Sequence, residues 1–207
     1  MKNHFILFLL ALCTQPVFAQ KFSYGLRGGM NYNIWHELHN DYIFNHSVEP
    51  EMGIELGLVA RQKLINNIYI NEELLYIHRN SSTKNKVTGE RFVVMKNDFV
   101  AVPIYISYRF FGALHLDLGG QYSHIVNCKS TKYSSPYLNT NELESLNLIS
   151  AFIGLGYKPS KKINIDCRYI HTFNQISKYY FTDHNASVLS YQTESPRTFS
   201  LAIGYNF

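Results

Sequence analysis

The stretch Phe199-Ser-Leu-Ala-Ile-Gly-Tyr-Asn-Phe207 alternates apolar with small or polar residues without a break. Side chains along a strand point alternately to opposite faces, so Phe199, Leu201, Ile203, Tyr205 and Phe207 share one apolar surface. Ser200, Ala202, Gly204 and Asn206 share the other. A strand of this kind with no polar tail is expected to pair with the first strand of its domain and close a barrel. Whether its apolar face looks into a ligand cavity, as in a lipocalin, or outward is decided by the rest of the chain.

Working back from this strand, the period of two recurs at residues 22–34, 51–64, 68–78, 97–108, 114–125, 146–157 and 162–170, which makes eight strands. In the third, Glu72 and Glu73 are adjacent and must take opposite faces; Glu73 is placed inside and Glu72 outside. An outward glutamate costs less than the roughly 2 to 4 kcal/mol quoted for a cation at the bilayer midplane. Pro103 falls in the inward set of the fourth strand, where its missing N–H predicts a local irregularity of the ladder.

The connections alternate in length. Links 65–67, 110–113 and 158–161 are tight, whereas 35–50, 79–96, 126–145 and 171–196 are long and polar. Short turns at one end and long loops at the other, with strands of about ten residues between, is the pattern of outer-membrane barrels. The tyrosines decide the direction of the apolar face. Tyr24, Tyr32, Tyr76, Tyr108, Tyr122, Tyr157, Tyr169 and Tyr205 recur on that face near strand ends, where amphipathic rings suit a bilayer interface. The expected fold is therefore all-β: an eight-stranded antiparallel up-and-down transmembrane barrel.

The opposite face then lines the lumen and carries Arg27, Glu51, Glu55, Arg61, Lys63, Glu73, Arg109, Asp117, Asp166 and Arg168, five of each sign. The interior of an eight-stranded barrel is just wide enough for side chains to fill it. Opposite charges are expected to pair there as a lumen network, with Arg27, Glu51, Glu55, Arg61, Glu73, Asp117, Asp166 and Arg168 at its centre. A narrow gated pore is the competing reading.

The N-terminal segment sets the compartment. Lys2, the apolar run 5–12 and Val17-Phe18-Ala19 before Gln20 read as a secretory signal peptide over residues 1–19, leaving a barrel domain at 20–207. The run of roughly eight apolar residues is too short for a spanning helix of roughly 20. Leu10-Ala11-Leu12-Cys13 resembles a lipobox, but Leu12 is bulky where a small residue is wanted. Cys128 and Cys167 are expected to be unpaired, Cys167 mid-strand on the apolar face and Cys128 just past a strand end.

The ordered motifs Tyr24-Gly-Leu-Arg-Gly-Gly-Met30, Glu73-Leu-Leu-Tyr76, Val102-Pro-Ile104, Asp117-Leu-Gly-Gly-Gln-Tyr122, Gly154-Leu-Gly-Tyr157, Asp166-Cys-Arg-Tyr169 and Gly204-Tyr-Asn-Phe207 resemble the PorT-like outer-membrane barrel family of Bacteroidetes. The likeness covers essentially the whole mature chain. Where the family commonly has Gln-Pro-Glu before Leu-Leu-Tyr, this chain has Asn71-Glu72-Glu73. The resemblance implies an eight-stranded barrel in the outer membrane, in a family many of whose members have no known molecular role and whose namesake is linked to protein secretion. A shared barrel does not transfer that task.

Other constellations carry less. His115 and Asp117 lie two apart on an inward face with Ser123 further along, but such a spacing spans about 7 Å, so a hydrogen-bonded lumen network outweighs a hydrolase. Trp35-His-Glu-Leu-His39 with His46 could hold a metal on a helical turn, although it lacks the His-Glu-x-x-His spacing, so solvated histidines are the expectation. Lys84, Lys86, Arg91, Lys129, Lys132 and Lys178 read either as solvated loop charge or as contacts to lipid phosphates. Gly28-Gly29 is followed by no helix pattern and is no phosphate loop. No enzyme activity, cofactor or metal is expected, and no nucleic acid partner, since the basic residues form no stripe.

The expected partners are outer-membrane lipid and lipopolysaccharide, the barrel-assembly machinery, and an envelope or secretion partner protein. Phe199, Tyr205 and above all the terminal Phe207 are expected to form the signal that assembly machinery reads. The expected function is structural, adhesive or surface-interacting through the loops, with accessory work in secretion as the alternative and an outer-membrane hydrolase third.

Overall fold

The computed structural model describes residues 22–38, 46–85, 89, 91–132, 138–143, 146–174, 177–182 and 188–207. The signal peptide read at 1–19 lies outside these residues. Eleven strands form one sheet: β1 (Phe22–Leu38), β2 (His46–Glu49), β3 (Glu51–Ile65), β4 (Ile68–Asn85), β5 (Arg91–Phe110), β6 (Leu114–Lys132), β7 (Leu138–Leu143), β8 (Asn147–Tyr157), β9 (Ile163–Thr172), β10 (Ser177–Thr182) and β11 (Val188–Asn206). Eight of them follow one another as antiparallel neighbours in the order β1-β3-β4-β5-β6-β8-β9-β11, and β1 also pairs with β11, which closes the barrel. The three short strands stand in the long connections: β2 on β4, β10 on β11 and β7 on β10.

Closure has a simple cause. In hydrocarbon every backbone N–H and C=O needs a partner, and only a sheet without edges supplies one to each strand. The last strand meets the first as expected, with Leu26 opposite Tyr205, Met30 opposite Leu201 and Tyr32 opposite Phe199. The three tight links sit at one end of the barrel. Asn66 and Phe111 adopt left-handed φ of 31° and 47°, followed in the second turn by Gly112 at 73°. In the third, Ser160 Oγ accepts from the backbone N–H of Lys162 and of Ile163.

The strands run further at the loop end than the alternation in the sequence showed. β1 continues to Leu38, β4 to Asn85 and β6 to Lys132, while β5 begins at Arg91 and β11 at Val188. In these extensions polar residues stand at both parities of the sequence, so the period of two is lost while the ladder bonds persist. Cys128 accordingly lies inside β6 rather than past its end, and both Cys128 and Cys167 are free thiols. His36 stands on β1 opposite Ser195, so the helical turn considered for His36 and His39 is not formed. His39 lies outside the described residues.

Lys84, Arg91, Lys129, Lys132 and Lys178 likewise belong to strands rather than loops, and Lys84 is ion-paired with Glu49. Lys86 lies outside the described residues. At Pro103 the β4–β5 ladder skips from Glu72–Ile104 to Leu75–Ala101 without a change of register, which is the irregularity expected where the N–H donor is missing. A bulge at Asp98/Phe99 shifts the β5–β6 pairing by one residue.

The outward set Leu26, Met30, Ile54, Leu56, Leu58, Ile106, Leu118, Ile153, Leu155, Leu201 and Ile203 is exposed as an apolar band. Tyr24, Tyr32, Tyr76, Tyr108, Tyr122, Tyr157 and Tyr205 are exposed at its margins. Glu72 faces outward, half-buried, and Glu73 is buried inside.

Candidate functional site: a charged belt across the lumen

Inside the barrel the alternate residues of each strand converge. Arg27 of β1 is the hub, with Nη1 3.0 Å from Asp166 Oδ2 of β9 and Nη2 3.0 Å from Glu55 Oε1 of β3. Its Nε lies 3.7 Å from Glu73 of β4. Arg168 of β9 is the second hub. It grips Glu73 with two nitrogens, at 2.8 and 2.9 Å, and approaches Asp117 of β6 at 3.6 Å. Its guanidinium packs on two adjoining rings, 4.4 Å from the centroid of Tyr105 and 5.0 Å from that of Phe152. Tyr105 in turn donates its hydroxyl to Glu73 Oε1 at 2.5 Å.

Polar side chains carry the network round the wall. Arg61 Nε donates to Asn71 Oδ1 (2.6 Å), Asn71 Nδ2 to Ser107 Oγ (2.8 Å), and Ser107 Oγ to Asp117 Oδ1 (2.5 Å). His115 Nε2 lies 2.9 Å from Asp166 Oδ1 and 3.8 Å from Asp117 Oδ1, and Ser200 of β11 donates to Glu55 at 2.8 Å. The belt thus touches β1, β3, β4, β5, β6, β9 and β11. At β8 it passes over glycine.

That passage explains two residues of the Gly154-Leu-Gly-Tyr157 motif. Gly156 lies opposite both His115 and Asp166, and a Cβ there would collide with the imidazole and with Asp166 Oδ1. Gly154 lies opposite Asp117 and Arg168, and its Cβ would come within 2.8 Å of Arg168 Cγ. Large inward residues on flanking strands meet over the smallest residue of the strand between them, as small barrels require.

The charges named from the sequence do not all meet. Arg27, Glu55, Glu73, Asp117, Asp166 and Arg168 form the contiguous cluster. Arg61 is buried but is held by Asn71 toward the turn end. Glu51 takes the inward parity near the loop end, half-buried, and it is its main-chain carbonyl that accepts from Asn33 Nδ2. Arg109 stacks 4.5 Å over the Tyr69 ring. In the third turn, burial together with the Arg61 and Arg109 guanidiniums pushes Lys158 down to about 8.

Two features escaped the sequence reading. One is an apolar cluster loopward of the charges, Leu75, Ile77, Phe99, Ala101, Ile125 and Leu148, all on inward parity and capped by Arg79 at 5.1 Å from the Phe99 ring. Its signal is visible in hindsight as apolar residues on the lumen side of β4, β5, β6 and β8. The other is the partner of His115, whose place in a lumen network was expected but whose bond is to Asp166. Ser123 accepts from Gln121 at 2.9 Å, while His115 and Asp117 approach each other at 3.8 Å. Phe199 and Tyr205 face outward on β11, and the Phe207 N–H donates to the Tyr24 carbonyl at 2.9 Å.

Comparison with known proteins agrees with this architecture. Residues 18–178 match the family described as outer membrane protein beta-barrel domain. No curated protein matches the chain in sequence. Among solved structures, the outer membrane protein OprG from Pseudomonas aeruginosa superposes with a TM-score of 0.54 at 11% identity, covering 91% of this chain and 97% of its own. The outer membrane protein AlkL, solved in lipid bilayers, gives 0.52 at 12% identity, covering 94% and 95%. At such identities the likeness is one of fold. With the closed antiparallel barrel and the family match together, the chain belongs to the outer membrane protein β-barrel domain family and resides in the outer membrane.

Proposed function

We propose that this protein is a non-enzymatic, non-conducting outer-membrane barrel that acts by surface contact at its loop end. The observation that carries this reading is the filled lumen. A charged belt and an apolar cluster occupy the cross-section in sequence along the strands, which leaves the loop-end strands and connections as the parts free to meet partners. The outer face is suited to lipid and lipopolysaccharide. Phe199, Tyr205 and Phe207 are assigned to recognition by the barrel-assembly machinery, and the PorT-like placement rests on the ordered motifs quoted above.

A deletion strain tests the reading. Loss of surface attachment or of outer-membrane integrity, with export of other proteins intact, is the expected result. Failed export with attachment intact overturns it in favour of accessory work in secretion.

A further inference from the structure

We propose that His115, Asp117 and Asp166 form an internal binding site for a first-row divalent cation, with Zn(II) the best match to the donors. One ligand atom from each of these three buried residues lies within 4.8 Å of the other two. His115 Nε2 is 2.9 Å from Asp166 Oδ1 and 3.8 Å from Asp117 Oδ1, separations that a modest contraction or expansion brings to those of neighbouring ligands on a tetrahedral ion. One imidazole nitrogen and two carboxylate oxygens suit zinc and its first-row neighbours rather than calcium, which prefers six or more oxygens.

The site is built rather than incidental. Gly156 supplies the space in which the imidazole and Asp166 meet across β8, and a Cβ there would displace both from their present positions. The far oxygens of both carboxylates are held from behind: Asp166 Oδ2 by Arg27 at 3.0 Å and by Asn164, and Asp117 Oδ2 by Arg168 at 3.6 Å. Ser107 donates to Asp117 Oδ1 at 2.5 Å. Such outer contacts orient metal ligands.

Charge points the same way. In the contiguous cluster two guanidiniums, Arg27 and Arg168, face four carboxylates, Glu55, Glu73, Asp117 and Asp166, so acidic groups outnumber the cations that touch them. Arg61 is held on Asn71, and Arg79, stacked over Phe99, offsets part of the charge at Glu55. Buried excess charge is costly, and one dication at His115 offsets it. A cavity lined by Arg61, Asn164, Asp166 and Asn206 opens beside Asp166 on the turn side. The Asn164 side-chain oxygen, buried without a hydrogen-bond partner, belongs to the residue that lines it next to Asp166.

The test uses chelator-treated, refolded full-length barrel in detergent, titrated with Co(II) as the spectroscopic probe. Expected are visible ligand-field bands saturating at one Co(II) per chain, displacement by Zn(II), and a loss of affinity in His115→Gln of more than about a hundredfold, beyond the range of outer contacts. His171→Gln, a half-buried histidine of β9, should bind as the wild type does. No bands in the wild type, or bands unchanged in His115→Gln, overturn the proposal. Should His115→Gln lose heat-modifiable gel migration, wild-type histidine 15N resonances decide. One imidazole must then show the shift of Nε2 coordination on adding Zn(II), and shifts confined to other histidines overturn the site. The lumen stays non-conducting with or without the ion, so this proposal and the proposed function fail separately.

Discussion

Arg168 concentrates the energetics of the lumen at one side chain. Its charge is taken out of water, which costs several kcal/mol, and is recovered through two hydrogen bonds to Glu73 and two aromatic faces. Removing it alone leaves Glu73 with the Tyr105 hydroxyl and the more distant Arg27, 3.7 Å away. Arg168→Met is therefore expected to destabilise the refolded barrel by about 3 to 5 kcal/mol in urea unfolding. The double variant with Glu73→Gln should cost less than the sum of the single changes by about 0.5 to 3 kcal/mol, the range for residues in contact. Strict additivity would show that the pair is not coupled.

Glycines give a second measurement at this scale. A Cβ on Gly119 would strike Tyr105 Cβ and the Ile104 carbonyl, neither of which can move aside, so Gly119→Ala should cost about 1 to 3 kcal/mol. Gly28 faces outward with its nearest neighbour, Leu56 Cδ1, 3.6 Å from an added Cβ, and Gly28→Ala should stay within about 0.5 kcal/mol of neutral. Equal effects in thermal gel-shift midpoints would contradict the packing described. The charged residues were legible in the sequence; their partners were not. Arg27 and Asp166 are 139 positions apart, and only closure of the sheet brings them together.

Among the elements, β11 shows how far local pattern reaches. Its alternation from Phe199 onward placed it correctly, and its outward and inward sets are those seen in the barrel. Its first half, from Val188, carries no sustained period of two in the sequence and so gives no strand signal there. The same reason hid the loop-end extensions of β1, β4, β5 and β6 and the short strands β2, β7 and β10. Pro103 and the Glu72/Glu73 step were readable, since a missing donor and a single buried acid each have one placement on a pleated strand. At the far end of β11, Phe207 donates its N–H to Tyr24 and sets its ring 5.8 Å from that of Tyr205, joining first and last strands. Deleting Phe207 is expected to lower the amount of folded protein in the outer membrane, measured by fractionation and heat-modifiable migration. Unchanged levels would remove its role in assembly.

For the whole molecule, the filled interior predicts silence. In planar bilayers the purified barrel should show no steady large conductance, because ions would have to cross both the apolar cluster around Phe99 and a belt of interlocked side chains that fills the lumen. A reproducible open channel would overturn the closed lumen. The sequence by itself determined the strand class, the parity of nearly every residue within the membrane band, the side carrying the tight turns and the compartment. These follow from the period of two and from the chemistry of a bilayer, both of which are local. Only the tertiary structure decided which charges touch, why Gly154 and Gly156 stand where the belt crosses β8, that an apolar cluster fills the loopward lumen, and that His115 meets Asp166 rather than Ser123. Those outcomes depend on which strands become neighbours and in what register, and that is set by closing the sheet, not by any one strand.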